Sequence, residues 1–167
     1  MDNETLMDSI LGELHTDWIE DEPVYLWEGQ MDYGDWGEPS YFQVYVEEEG
    51  ITAAHHQAYL SFRGHMDECF KAAYQKVTEH FRTDHEMYGL EPEHVAEIQG
   101  LLDAGRGLEV LSEPHLVIHP AQDGRLAFAI AFGFSMLDDE HGTAVRFLDG
   151  EAMDVCDLTM VDEPAME

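Results

Sequence analysis

The densest reactive chemistry in the sequence is Asp138-Asp139-Glu140-His141-Gly142. Three carboxylates and an imidazole in four consecutive residues could supply a general base, an acid pair or a hard-cation site. The same run also suits a loop between two buried strands, where the acids stay solvated, Gly142 gives permissive backbone and His141 bonds across the turn. Catalysis would need partners that no other stretch offers, so the loop reading is preferred. Ten histidines invite a transition-metal reading, yet neither an HExxH nor a paired CxxC is present. His115 and His119 fall on one face of a strand-like stretch but about 13 Å apart at strand rise, too far to share an ion. His55 and His56 point in different directions on a helix, and His80 meets His85 only across a polar joint. Ser61, Ser112 and Ser135 have no nucleophile-elbow context; Gly133-Phe134-Ser135 lacks the G-x-S-x-G frame. There is no Gly-rich phosphate loop. Cys69 and Cys156 are too few for a disulfide scaffold and form no metal motif. The expectation is a protein with no catalytic residues, no metal and no cofactor.

A second pattern points to binding. Tyr25, Trp27, Tyr33, Trp36 and Tyr41 alternate with Asp32, Asp35 and Glu38. Aromatics among acids have the makeup of a hot-spot patch for a basic partner, and equally of rings packed on a helix. Trp36, in the turn Gly34-Asp35-Trp36-Gly37-Glu38-Pro39, is the ring expected at the surface. Seven Lys and Arg against 37 Asp and Glu leave a net charge of −30. Self-repulsion on that scale opposes the compact state and is screened by salt. A salty cytoplasm, a basic partner or bound cations would compensate it, whereas nucleic acid would be repelled. The expected contact face comprises Asp17, Glu20, Asp21, Glu22, Asp32, Asp35, Trp36, Glu38, Glu47, Glu48 and Glu49. The N-terminus has no positive n-region, and no stretch reaches the ~20 apolar residues of a membrane span; a cytoplasmic protein without membrane contact is expected.

The elements that must position these residues follow from periodicity. Thr52–Arg82 reads as one long helix with Thr52 as its cap, because Ala58, Phe62, Met66, Cys69, Phe70, Ala73, Val77 and Phe81 recur in steps of three and four. A shorter helix opens at Glu91-Pro92-Glu93, with Pro92 where its missing N–H costs little. It buries Val95, Ile98, Leu101 and Leu102 and stops at Gly105-Arg106-Gly107. Before the helices, Val24–Tyr33 and Tyr41–Glu48 alternate as strands. After them come a short strand Leu108–Leu111, a break at Pro114, a strand His115–His119, and a hairpin turn at Gln122-Asp123-Gly124. Leu126–Leu137 reads as a central strand with Phe128, Ile130, Phe132 and Phe134 on the helix, Thr143–Leu148 follows, and Asp149-Gly150 turns the chain into Ala152–Leu158. The expected fold is α+β: antiparallel meanders, in one sheet or two, packed on one long helix plus a shorter helix. A single domain would span residues 1–158, with a frayed acidic tail over 159–167.

Several of these pieces together resemble a known family. Gly12-Glu13-Leu14, the strand with Trp27, Gln57-Ala58-Tyr59-x-x-Phe62, Leu137-Asp138-Asp139-Glu140-His141-Gly142-x-x-Val145 and the Asp149-Gly150 hairpin are similar to a family of uncharacterised bacterial domains. Its members carry a W-D-x-E-H-G motif near the C-terminus; here Leu137 stands at the Trp position. Such domains occur among presumed immunity proteins of polymorphic toxin systems. The resemblance implies a small α+β fold and toxin neutralisation, and it carries no catalytic residue onto this chain. The leading expectation is therefore a non-enzymatic acidic immunity protein that blocks a basic toxin domain. The alternatives are a salt-adapted accessory protein and, behind it, a metal-dependent enzyme at Asp138–His141.

Overall fold

The computed structural model describes residues 4–16 and 26–165. Eight strands within them form one sheet whose spatial order is the chain order. They are β1 (Glu4–Asp8), β2 (Gly12–Thr16), β3 (Leu26–Met31), β4 (Ser40–Tyr45), β5 (Leu111–Ile118), β6 (Ala127–Ser135), β7 (Thr143–Leu148) and β8 (Glu151–Cys156). Every neighbouring pair is antiparallel except β4–β5, which is parallel. A parallel neighbour requires a crossover, and the helices lie in that one connection: α1 (Ala53–Gly64), α2 (Met66–Asp84), α3 (Pro92–Asp103) and α4 (Gly107–Val110). The fold is thus mixed α+β, and the two meanders share one sheet. Each meander is set by local turns. The pairing that joins them closes over the whole helical crossover, so no local pattern announces it.

That joint is thin. The β4–β5 ladder registers only Gln43 with Val117 and Val44 with Ile118. Extended backwards, the same register would set Tyr41 opposite His115. There the Tyr33 hydroxyl stands between the strands, donating to the Tyr41 carbonyl at 2.7 Å and accepting from the Leu116 N–H at 2.8 Å. Towards Ser40 and Leu111 no further ladder pair joins the two strands. Pro114 was expected to break the chain, yet β5 runs straight through it. Because alternate N–H groups along a strand point the same way, Pro114 faces the same side as Leu116, where its ring packs against Gly37. No ladder bond is lost there, which is the setting in which a strand tolerates proline.

The expected long helix is two. The α1 helix ends at Gly64, and His65, at φ −135° and ψ 35°, is not helical. Gly64 gains least from helical order, and the His65 ring bonds the Ser61 carbonyl at 3.1 Å. The apolar face nevertheless continues across the break, with Phe62, Phe70, Ala73, Val77 and Phe81 all buried. The α3 helix begins on Pro92 and buries Ile98 and Leu102. Residues 107–110 are a helical turn, not the expected strand. On the sheet, Trp27, Phe42, Val44, Phe128, Ile130 and Phe132 meet the helices in one core, whereas Phe134, 43% exposed, does not.

The opposite face carries the small side chains of Ala127, Ala129, Ala131 and Ala144, and residues 157–165 pack against it. Val161 and Ala165 are buried there, the Leu158 N–H donates to the His141 carbonyl at 3.1 Å, and Arg146 donates to the Glu163 carbonyl at 3.2 Å. The expected frayed tail is, as far as Ala165, a strap. Two apolar residues in an acidic run give a weak signal; the small residues that make room for them lie on other strands. No helix among the described residues is long and apolar enough to cross a membrane.

Candidate functional site

In the loop between β6 and β7 the chemistry closes on itself. One Asp138 carboxylate oxygen accepts from the N–H groups of Glu140 at 3.3 Å and His141 at 3.0 Å, and the His141 ring lies 3.2 Å from both of its oxygens. The Asp138 carbonyl accepts from the Gly142 N–H at 2.9 Å. Gly142 has φ 72°, and a Cβ there would sit 2.9 Å from the Phe132 carbonyl oxygen and closer still to Leu158. Asp139 and Glu140 remain exposed. Among the described residues no three His, Cys, Asp or Glu side chains come together as a metal site. Asp138 and Gly142 hold this turn, and the run also lines a cavity of about 430 Å³ with Tyr88, Val155 and Cys156.

The histidines likewise have separate duties. His56 bonds Asp8 at 2.9 Å, His80 bonds the Tyr88 hydroxyl at 2.6 Å, and His85 donates to the Phe81 carbonyl at 3.1 Å, so His80 and His85 are not paired. His55 donates from Nε2 to the Tyr45 carbonyl at 2.8 Å and accepts at Nδ1 from the Thr52 N–H at 3.0 Å. Burial lowers its pKa, and this pair of bonds requires one neutral tautomer.

The aromatic patch divides. Trp27 and Tyr33 are core residues. Trp36, expected at the surface, is half-buried: its ring stacks on Phe70 at 5.0 Å and Tyr74 at 5.9 Å, and its indole N–H donates to Asp67 at 2.7 Å. Asp32, Asp35 and Glu38 are exposed beside it. Glu47, Glu48 and Glu49 are also exposed, but they follow the far end of β4, about 20 Å along the strand. Tyr25, Asp17, Glu20, Asp21 and Glu22 lie outside the described residues. The exposed acids of the expected face therefore form two groups at opposite ends of a strand, and further acids such as Glu79, Glu93, Glu97 and Asp103 are exposed on the helices.

One of these groups borders a cavity. Beside the starts of β4 and β5 a cleft of about 580 Å³ is lined by residues 36–41 and 112–115. On its floor the His115 and Tyr41 rings stack at 4.6 Å and 26°. His115 is 6% exposed. Its ring forms no hydrogen bond with any described residue, including Ser40 and Ser112 in the same cleft, so no nucleophile–base pair is assembled. Burial pushes its pKa down to about 4, leaving a neutral imidazole with an open acceptor. Tyr41 is raised by burial and by the nearby carboxylates of Glu28 and Glu113. Glu113 itself sits at φ 57°, a conformation that side chains other than glycine seldom adopt, and its carboxylate lies over Gly133, where a Cβ would be 3.1 Å away. Glu38 stands on the rim. The arrangement offers acceptors and negative charge and suits a ligand that brings donors and positive charge.

One step further along the same strands, Tyr45 and His119 repeat the stack at 5.5 Å. His119 is 2% exposed beneath the strap, and its Nε2 has no hydrogen-bond partner. Burial pushes this pKa too to about 4. His115 and His119 indeed share a face. The tyrosines opposite them were missed, although Tyr41 and Tyr45 carry the same four-residue spacing as His115 and His119, which parallel pairing brings into line.

Comparison of the chain with family models, curated proteins and solved structures returns no match.

Proposed function

We propose that the protein is a non-enzymatic acidic binder that works in the cytoplasm as an immunity protein, neutralising a basic toxin by covering its active surface. The observation that carries this reading is the cleft between β4 and β5. The carboxylates of Glu38 and Glu113 border it, Asp32 and Asp35 lie exposed on the adjoining turn, and its floor is neutral. Toxins that act on nucleic acids present basic grooves. A surface of net charge −30 would be steered to them at high rate and would occupy the place of phosphates.

A specific observation favours a second reading. Exposed acids extend over the helices and both ends of the sheet, as salt adaptation would place them. Capture with the tagged chain from its native host, at low salt and at about 0.5 M, where the Debye length falls to roughly 4 Å, separates the two. One basic protein recovered in equimolar amount and released by salt is the expected outcome for the immunity protein. No partner at either salt, with a chain that melts more easily as salt is withdrawn, would overturn it in favour of salt adaptation.

A further inference from the structure

We propose that the cleft between β4 and β5 is a receptor pocket for a guanidinium group, the arginine side chain of a basic partner. The proposal rests on the protein being a binder of basic protein and adds the group that is recognised. Three independent features converge on the cleft. The first is an unmet acceptor: His115 is 6% exposed, lines the cleft and has no hydrogen bond to any described residue. Its ring nitrogens are not sealed from solvent as His119 Nε2 is, so the water that reaches them from the cleft can give way to a donor from a ligand. The second is charge. Glu38 and Glu113 line the cleft and no Lys or Arg does, so the ligand must supply the cation. The third is the backbone: Glu113 is held at φ 57° directly before Pro114. Such strain persists only where its surroundings impose it, and it gathers at ligand sites.

A metal ion does not suit the site, because no three ligating side chains converge among the described residues. An ammonium is a compact, strongly hydrated charge with three donors. A guanidinium is planar and weakly hydrated, and it presents five donors in a fork. It can bond a carboxylate on the rim with one edge and the His115 ring with another while its alkyl stem lies along Pro39 and Pro114, which also line the cleft. The volume of about 580 Å³ falls within the roughly 300–1,000 Å³ typical of small-ligand pockets.

The test uses the full chain and two capped amino acids of equal charge, N-acetyl-arginine methylamide and N-acetyl-lysine methylamide, titrated at low salt. Binding is read by calorimetry and by the ring resonances of His115. The arginine probe is expected to saturate, to shift the His115 ring signals and to bind at least fivefold tighter than the lysine probe. The exchanges Glu38→Gln and Glu113→Gln together, both outside the core, should weaken it about tenfold. Equal, non-saturating shifts from both probes, or unchanged arginine binding in the double variant, would overturn the pocket. If a captured basic partner binds the double variant as tightly as the native chain, the pocket fails while the immunity reading stands. If the arginine probe saturates the cleft and no basic protein is captured, the immunity reading fails and the guanidinium site stands.

Discussion

At the scale of single residues, His115 and His119 make the clearest claim. Both are neutral in the folded chain, with pKa values pushed from 6.5 to about 4 by burial. A histidine whose pKa is lower folded than unfolded leaves the unfolded chain to take up protons first. Its contribution to stability is therefore complete above about pH 6.5 and is lost as pH falls towards 4. At 1.36 kcal/mol per unit, each ring can account for roughly 3 kcal/mol. Urea midpoints measured between pH 7 and 5.5, where ordinary carboxylates stay ionised, should fall with pH, and the slope should shrink in His115→Asn/His119→Asn. A slope that the double variant leaves intact would assign the acid sensitivity elsewhere. The common face of the two histidines was legible from their spacing alone. Their tyrosine partners were not, because the register that aligns them is fixed by a crossover of more than sixty residues. Gly142 makes the complementary claim for the motif loop. With φ 72° and no room for a Cβ, Gly142→Ala should cost more than about 1 kcal/mol. Asp139→Asn and Glu140→Gln should stay within about 0.5 kcal/mol. Stability that responds to the acids and not to the glycine would revive a binding or catalytic role for the loop.

At the scale of elements, the two meanders and the helical face were readable because period two and period 3.6 are local properties. Phe128, Ile130 and Phe132 face the helices as their alternation requires. Phe134 does not, and β6 shows no change of pattern where that packing ends. The helix break at His65 and the passage of β5 through Pro114 were illegible for different reasons: a single Gly64 is a weak signal inside a continuous apolar face, and the fate of a proline in a strand depends on the partner that its nitrogen faces. Tyr33 is the element-scale hinge of the sheet. Its hydroxyl replaces a ladder bond between β4 and β5. Tyr33→Phe leaves the part-buried Tyr41 carbonyl and the buried Leu116 N–H without their partner and should lower the unfolding free energy by about 1–3 kcal/mol, with an unchanged urea slope. A loss below about 0.5 kcal/mol would mean that the strands close directly on one another.

At the scale of the whole molecule, charge decides more than shape. The chain carries −30 with seven cations, and several of its arginines are engaged at home. Arg146 is held by Asp154, Arg82 by Asp103 and Arg106 by Glu109. These pairs are mostly exposed and contribute little each, so the field outside the molecule stays strongly negative. Composition made that field legible. It did not reveal that Asp32, Asp35 and Glu38 stand beside an open cleft while Glu47–Glu49 lie at the other end of the strand, since only the fold sets that distance.

The most direct measurement is the association rate of the captured basic partner with the native chain and with Asp32→Asn/Asp35→Asn/Glu38→Gln. At low salt the triple variant is expected to associate about tenfold more slowly, and the difference should vanish near 0.5 M salt as the charges are screened. Equal rates for the two chains at low salt would contradict an acidic contact surface at this end of the sheet.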